Sequence, residues 1–167
     1  IYKFKCASLN KMVFDRIIFV GDSAHVVSPF GARGGNGGMH DVDNLGWKLA
    51  STLKNNASVK ILNSYNDERI EAAKENISNS SRATNFMTPK NKMAKVFRDQ
   101  VLKLATSNQF SRNLINSGRL SVPFKLSGLK LNNEYRDDPM LGSIYIDFPI
   151  LDRKGARLFL TDVIAQS

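Results

Sequence analysis

An aspartate directly after an apolar run, followed by a cluster of glycines that opens a helical pattern, is suited to holding an anionic ligand that carries hydroxyls. Asp22 follows Ile17-Ile18-Phe19-Val20-Gly21, and five glycines fall between Gly31 and Gly38. The Asp22 carboxylate offers two acceptor oxygens to ribose-type or ribityl hydroxyls. Gly21 lets the backbone turn sharply and approach a ligand closely. Gly34-Gly35-Asn36-Gly37-Gly38 can leave backbone N–H groups unpaired at a helix start, where the helix dipole also favours negative charge. Pro29 fixes one bend of the loop. No Lys-Ser or Lys-Thr follows the glycines, so this is not a phosphate-binding P-loop, and the spacing is not GxGxxG after a first strand. On spacing alone, a nucleotide or anion site and a merely flexible loop both remain open.

The elements that must position these residues can be read from hydrophobic periodicity. Tyr2, Phe4 and Cys6 alternate with Lys3 and Lys5, which predicts a strand with one wet face. Ile17 to Val20 is a continuous apolar run and predicts a central strand buried on both faces. From Met39 the gaps of three and four through Val42, Leu45, Leu49 and Leu53 make one helical face, with Trp47 as core, ending at Asn55-Asn56. A second helix is expected over 59–77, closed by a polar break at Ser78–Ser81. A third is expected over 91–106 and a short fourth over 110–115, with Ser117-Gly118 and Pro123 closing the helical part. Ile144-Tyr145-Ile146 and Leu158-Phe159-Leu160 read as strand pieces.

The bulk numbers bound the answer. A chain of 167 residues with 42% hydrophobic residues can pack a core. No apolar stretch approaches membrane-spanning length, and no signal peptide is expected ahead of the first strand-like segment. The single cysteine, Cys6, rules out an internal disulfide framework and a thiolate zinc site, and fits a cytoplasmic setting. Two histidines, His25 and His40, make a metal site improbable on composition, and none is expected; His25 is read as a structural hydrogen-bonder. The net charge of +9 is concentrated in residues 82–130, which hold ten Lys/Arg against one acidic residue. Such a segment can serve nucleic acid, an anionic surface or a solvated face. Few aromatics are set among the basic residues and no readout motif is present, so no nucleic-acid partner is expected.

Arg16 to Ala50 as a whole resembles the second flavin fingerprint of the FAD-dependent aromatic-ring hydroxylases, the single-component monooxygenases of the p-hydroxybenzoate and phenol hydroxylase kind. The matching residues are Gly21-Asp22-Ser23-Ala24-His25, Pro29, Gly31-Ala32-Arg33-Gly34-Gly35-Asn36-Gly37-Gly38, and Asp41 through Leu49. Ser64-Tyr65-Asn66-Asp67-Glu68-Arg69 extends the likeness. Ser80 to Lys90 is similar to the subgroup acting on hydroxyphenylpropionate-like substrates. Ser23, Ser28 and Gly46 depart from the usual pattern. The family's N-terminal GxGxxG and its mid-chain Asp-Gly motif are absent, so the resemblance implies the C-terminal part of such an enzyme.

What the resemblance implies is specific. The fold would be α/β: residues 1–125 would form the C-terminal part of a Rossmann-like FAD-binding domain, with strand, Gly-rich loop and helix followed by a helical segment. Residues 126–143 would be a linker, and 144–167 the start of a thioredoxin-like domain. Asp22 would bind the ribityl chain of FAD, with a loop- or helix-capping role as the plain counterpart. Gly35 and Asn36 would aim backbone N–H groups at the flavin, with Gly21, Gly31, Gly34 and Gly37 permitting the approach. Pro29 would act beside flavin and substrate through its carbonyl, or serve only as a rigid corner. NAD(P)H would be the co-substrate, O₂ the oxygen source and a phenolic or aromatic small molecule the substrate. The other partners implied are the missing N-terminal FAD-binding and substrate-binding parts of the same protein, and a homodimer is compatible. A non-catalytic remnant of this fold is the alternative.

Overall fold

The computed structural model describes residues 3–54, 57–115, 123–129, 131, 140–144 and 147–164. Four short strands come first: β1 (Ala7–Ser8), β2 (Val13–Phe14), β3 (Ile17–Ile18) and β4 (His25–Val26). They form two antiparallel pairs, β1 with β4 and β2 with β3, in register Ala7 to Val26 and Val13 to Ile18. The β2–β3 hairpin turns at Asp15, whose φ of +53° suits the short polar side chain of an aspartate. Four helices follow: α1 (Arg33–Lys54), α2 (Ile61–Met87), α3 (Lys92–Ala105) and α4 (Gln109–Ile115). A hairpin of β5 (Pro149–Leu151) and β6 (Arg157–Phe159), then α5 (Leu160–Ile164), complete the described elements.

The helix boundaries have local causes. The Asn91 side chain accepts the Ala94 N–H at 2.8 Å and caps α3. Asn108 accepts the N–H groups of Phe110 and Ser111 and opens α4. Arg112 donates to the carbonyls of Ala105 and Thr106, each at 2.7 Å, closing the end of α3. Pro89 follows α2, where it cannot continue the helix.

The core is small and lies where the hairpin meets α1 and α2. Met12, Val13, Ala24, Leu45, Leu62, Tyr65, Ile70 and Ala73 are buried together, with Phe19, Val20 and Leu49 against them. Two polar bonds fix the register of this packing. Asn66 accepts the Met12 N–H at 2.8 Å, and the Tyr65 hydroxyl donates to the Phe19 carbonyl at 2.9 Å. Burial, together with the Asp41 carboxylate, holds the Tyr65 phenol above its ordinary pKa.

Several expectations need correction. Lys3 to Cys6 is not a strand; pairing begins at Ala7. Ile17 to Val20 is not a central strand, since β3 is two residues long and pairs with β2 alone among the described residues, leaving Ile17 62% exposed. An apolar run specifies burial only if other strands are present to flank it. The polar break at Ser78–Ser81 does not exist: α2 runs through it, and the Ser80 hydroxyl bonds the loop before α1. Trp47 is 50% exposed and not core, and Met39, Val42 and Leu53 are exposed too. The side of α1 that packs on α2 carries Arg33, Gly37, Asp41, Leu45 and Lys48 instead. The helix ends placed at Asn55-Asn56 and Ser117-Gly118, and the strand residues Tyr145 and Ile146, lie outside the described residues, as does Tyr2.

Candidate functional site

The site begins where the chain leaves β3. Gly21 has φ of +58°, a left-handed conformation in which a side chain would be strained, and it starts a single 3-10 turn over Gly21–Ser23. Ser23 steadies this turn by accepting the Val20 N–H at 3.1 Å and donating to the Val20 carbonyl at 2.7 Å. Asp22 is exposed on the turn and makes no hydrogen bond or ion pair among the described residues, so it caps neither loop nor helix. The turn lies against the first turns of α1, where a Cβ at Gly38 would sit 3.5 Å from Gly21 Cα.

A buried ionic hub holds these two pieces together. Asp41, fully buried on α1, accepts the Gly21 N–H at 2.8 Å through Oδ2. The same oxygen lies 2.7 Å from His25 Nε2, and Oδ1 accepts from Arg69 Nε at 2.6 Å. Arg69 also donates to the Gly37 carbonyl at 3.3 Å, so α2 grips both the hub and the glycine segment. Burial alone would raise the Asp41 pKa, but the bonds from His25, Arg69 and the Gly21 N–H, with the Arg69 charge, hold it below its ordinary value. His25 is therefore a structural hydrogen-bonder, buried and committed to Asp41.

Two further clusters extend the polar seam between α1 and α2. Lys48 and Glu68 form a buried ion pair at 2.7 Å, and Asn44 bonds both partners. Burial pulls the Lys48 pKa down, and Glu68 restores only part of it. Nearer the loop, Ser28 Oγ lies 2.6 Å from Ser80 Oγ and 2.7 Å from Thr84 Oγ1. Ser80 also reaches the Ser28 and Phe30 carbonyls at 3.2 Å. The loop carrying Pro29 is thus tied to α2 on both sides.

The glycines are placed differently from one another. α1 starts at Arg33, so Gly34 and Gly35 lie in its first turn, where N–H groups have no carbonyl one turn back to bond. Gly35 is exposed, and a Cβ there would meet nothing within 4 Å. Asn36, exposed, turns its side-chain amide back to the Ala32 carbonyl at 2.8 Å. Gly37 is buried behind, where a Cβ would stand 3.1 Å from His25 Cε1. Gly31 has φ of +91° and Ala32 +51°, the backbone kink that leads into α1. Pro29 is exposed, and its carbonyl accepts the Ala32 N–H at 3.2 Å, making it a corner of that kink.

The donor set fits one end of a flavin. An unpaired carboxylate can take ribityl hydroxyls, and an open helix N-terminus built of glycines can present N–H groups to an electron-rich ring edge. Among the described residues, no group of three or more His, Cys, Asp or Glu side chains is placed to hold a metal ion.

Residues 1–80 match the FAD binding domain family. Over 88 residues the chain is 39% identical to the 3-(3-hydroxy-phenyl)propionate/3-hydroxycinnamic acid hydroxylase of Comamonas testosteroni, covering 53% of this chain and 15% of that protein. It is 33% identical over 101 residues to the enzyme of that name in Escherichia coli K12, covering 60% of this chain and 18% of the relative. In structure it is similar to the anhydrotetracycline hydroxylase OxyS of Streptomyces rimosus, with a TM-score of 0.70 and 25% identity over 93% of this chain and 30% of that one. The chain thus spans less than a fifth of the curated relatives it matches. It is similar in sequence and in its mixed α/β fold to FAD-dependent aromatic hydroxylases, which are enzymes.

Within the segment that matches this family, sequence reasoning missed the residues behind the loop. Asp41, Lys48, Glu68 and Arg69 enter the sequence reading only within the motifs that carry the resemblance, with no role assigned, although Asp41 and Lys48 share a helical face with Gly37 and Leu45 at spacings of three and four. That polar periodicity was the available signal. No helix among the described residues is long and apolar enough to cross a membrane.

Proposed function

We propose that this chain supplies the flavin-side loop of an FAD-dependent monooxygenase that hydroxylates a phenolic or aromatic substrate with NAD(P)H and O₂ in the cytoplasm. The observation that carries the reading is the unpaired, exposed Asp22 carboxylate locked against an open glycine helix start by a buried hub. FAD, when bound, supplies the redox and oxygen chemistry. The chain's own residues bind and orient. Asp22 accepts hydroxyls of the ribityl chain. The Gly35 N–H, open in the first turn of α1, is aimed at the ring edge where reduced flavin gathers negative charge, Asn36 beside it has its own N–H within the helix ladder, and the α1 dipole adds to the effect. Gly21, Gly31, Gly34 and Gly37 keep the backbone bare or turned along that approach. Pro29 stiffens the corner beside the ring and substrate.

The remaining partners are part of the same proposal. N-terminal FAD-binding and substrate-binding parts of the protein would cover the exposed apolar stripe of α1, where Met39 is 70% and Val42 62% exposed. The β5–β6 hairpin followed by α5 would open a thioredoxin-like domain. The test is an FAD titration of the complete protein with Asp22 intact and as Asp22→Asn. Loss of a charged hydrogen bond should weaken binding by about 1.5–3 kcal/mol, roughly tenfold to a hundredfold. Unchanged affinity would remove Asp22 from the site. Consumption of NAD(P)H and O₂ with a hydroxylated phenol as product tests the reaction class.

A further inference from the structure

The basic excess of the sequence includes a helix that the flavin loop does not use. Residues 82–130 hold ten Lys/Arg and one acidic residue, Asp99. Arg98 takes that carboxylate at 2.7 Å. Lys92, Lys95 and Lys103 of α3 are exposed and make no ion pair among the described residues. Val101 is the one buried residue of α3. Beside it runs an exposed apolar stripe of Met93, Phe97 and Leu104, whose spacings of four and seven keep them on one side of the helix. Met93 is 78% and Phe97 61% exposed, and Val96 next to them is exposed too. At about 100° per residue, Lys92 and Lys103 border the stripe on the flank away from Val101. The cavity between α2, α3 and α4 takes Arg98 and Leu102 from the opposite flank, so the stripe is not its wall. With 14 residues, or about 21 Å, α3 is too short and too charged to cross a bilayer. An apolar stripe needs a water-poor medium and unpaired lysines need negative charge, and the edge of an anionic bilayer offers both within about 5–10 Å.

We propose that α3 lies in the surface of an anionic phospholipid membrane, with Met93, Phe97 and Leu104 among the acyl chains and Lys92 and Lys103 on the headgroup phosphates. The lysine stems run along the apolar level while their ammonium groups reach the phosphates. A second copy of this chain would bring the same excess of positive charge against this face. A nucleic acid would take the lysines and leave the stripe in water. The binding energy of a folded partner centres on well-packed pockets, and the open side of one helix presents a ridge instead. None of these residues belongs to the flavin loop, so the proposal stands apart from that reading.

The test is co-sedimentation of the complete protein with vesicles of phosphatidylcholine alone and of equimolar phosphatidylcholine and phosphatidylglycerol, at low and high salt. Binding to the anionic vesicles should be roughly tenfold tighter or more, and should weaken as salt rises. Lys92→Gln with Lys103→Gln should cost roughly twenty-five-fold, about fivefold for each lysine. Phe97→Gln should cost roughly tenfold or more at either salt concentration, because it removes the burial of the ring. The three side chains are exposed, so these variants should keep the wild-type Tm and oligomeric state. Equal binding to both vesicles, binding to neither, or unchanged binding by the Phe97→Gln protein or by the lysine double variant would each overturn the proposal. A Phe97→Gln protein that melts at a lower temperature, or changes oligomeric state, would also overturn it, because another part of the chain or a second copy would then hold the stripe.

Discussion

Three glycines on one helix separate conformational cost from function. An alanine in a helix interior is favoured over glycine by about 0.8–1.0 kcal/mol. Gly46 lies mid-helix in open space, with nothing within 4 Å of a built Cβ. Gly46→Ala should therefore gain close to the full amount, raising Tm by roughly 2–4 °C for a domain of this size. Gly35→Ala also meets nothing within 4 Å and should gain with the same sign. Gly37→Ala should behave oppositely, because its methyl would press to 3.1 Å on His25 Cε1. That ring cannot easily move, since His25 is bonded to Asp41 at 2.7 Å and Asp41 to Arg69 at 2.6 Å. Overpacking costs about 1–3 kcal/mol, which exceeds the helical gain, so the net is a loss of up to about 2 kcal/mol. The assays are chemical denaturation for stability and flavin fluorescence titration of the complete protein for FAD. Gly35→Ala should be more stable yet bind FAD at least tenfold less, because the methyl fills the approach to the donors, whereas Gly46→Ala should bind normally. A Gly35→Ala protein with wild-type FAD affinity refutes the placement of Gly35 at the flavin. A Gly37→Ala protein stabilised as much as Gly46→Ala refutes the rigidity of the hub.

Other perturbations test the seam behind the loop. Lys48→Met leaves the Glu68 carboxylate buried without its charge partner and should cost about 3–5 kcal/mol, whereas Lys48→Met with Glu68→Leu should recover most of that in urea unfolding. Because the Asp41 pKa is depressed in the folded state, its contribution to stability is present above the unfolded value of 3.8 and is lost as pH falls below it. Unfolding measured from neutral to strongly acidic pH should show this loss, and Asp41→Asn should flatten that part of the curve while lowering stability throughout. Ser80→Ala removes the hydroxyl that meets Ser28 and two loop carbonyls and should cost about 1–3 kcal/mol. Hydrogen exchange should then quicken in residues 28–32 before it does in α3.

Helices and loop were legible because their signals are local. The spacing from Met39 to Leu53, the helical stretch from Asn91 and the Gly-Asp turn depend on neighbours a few residues away. What failed was inference from composition to burial. Val42 and Trp47 are apolar and exposed, while Asp41 and Lys48 are charged and fully buried on the same helix. Periodicity shows that a helix has two kinds of face but not which neighbour each one meets. Ile17 to Val20 failed similarly, since a strand's burial depends on partners elsewhere in the chain. Ser78–Ser81 looks like a break because serine competes for backbone bonds, and only the distant Ser28 and Phe30 give the Ser80 hydroxyl other work.

The placement of charge follows from what the loop must do. Backbone N–H groups left open for a ligand cannot be spent in holding the loop, so the restraint must come from behind. Apolar contacts could supply the free energy, and buried ion pairs are often no more stabilising than apolar replacements. Apolar contacts, however, do not fix direction. Asp41 takes a backbone N–H from the Gly21 turn, an imidazole from β4 and a guanidinium from α2, at distances of 2.6–2.8 Å. Each bond has an angular preference, so together they set the orientation of the Asp22 turn against the glycine end of α1. This accounts for a small core beside a large buried polar seam: the apolar residues supply the packing, and the charged ones set where the loop points.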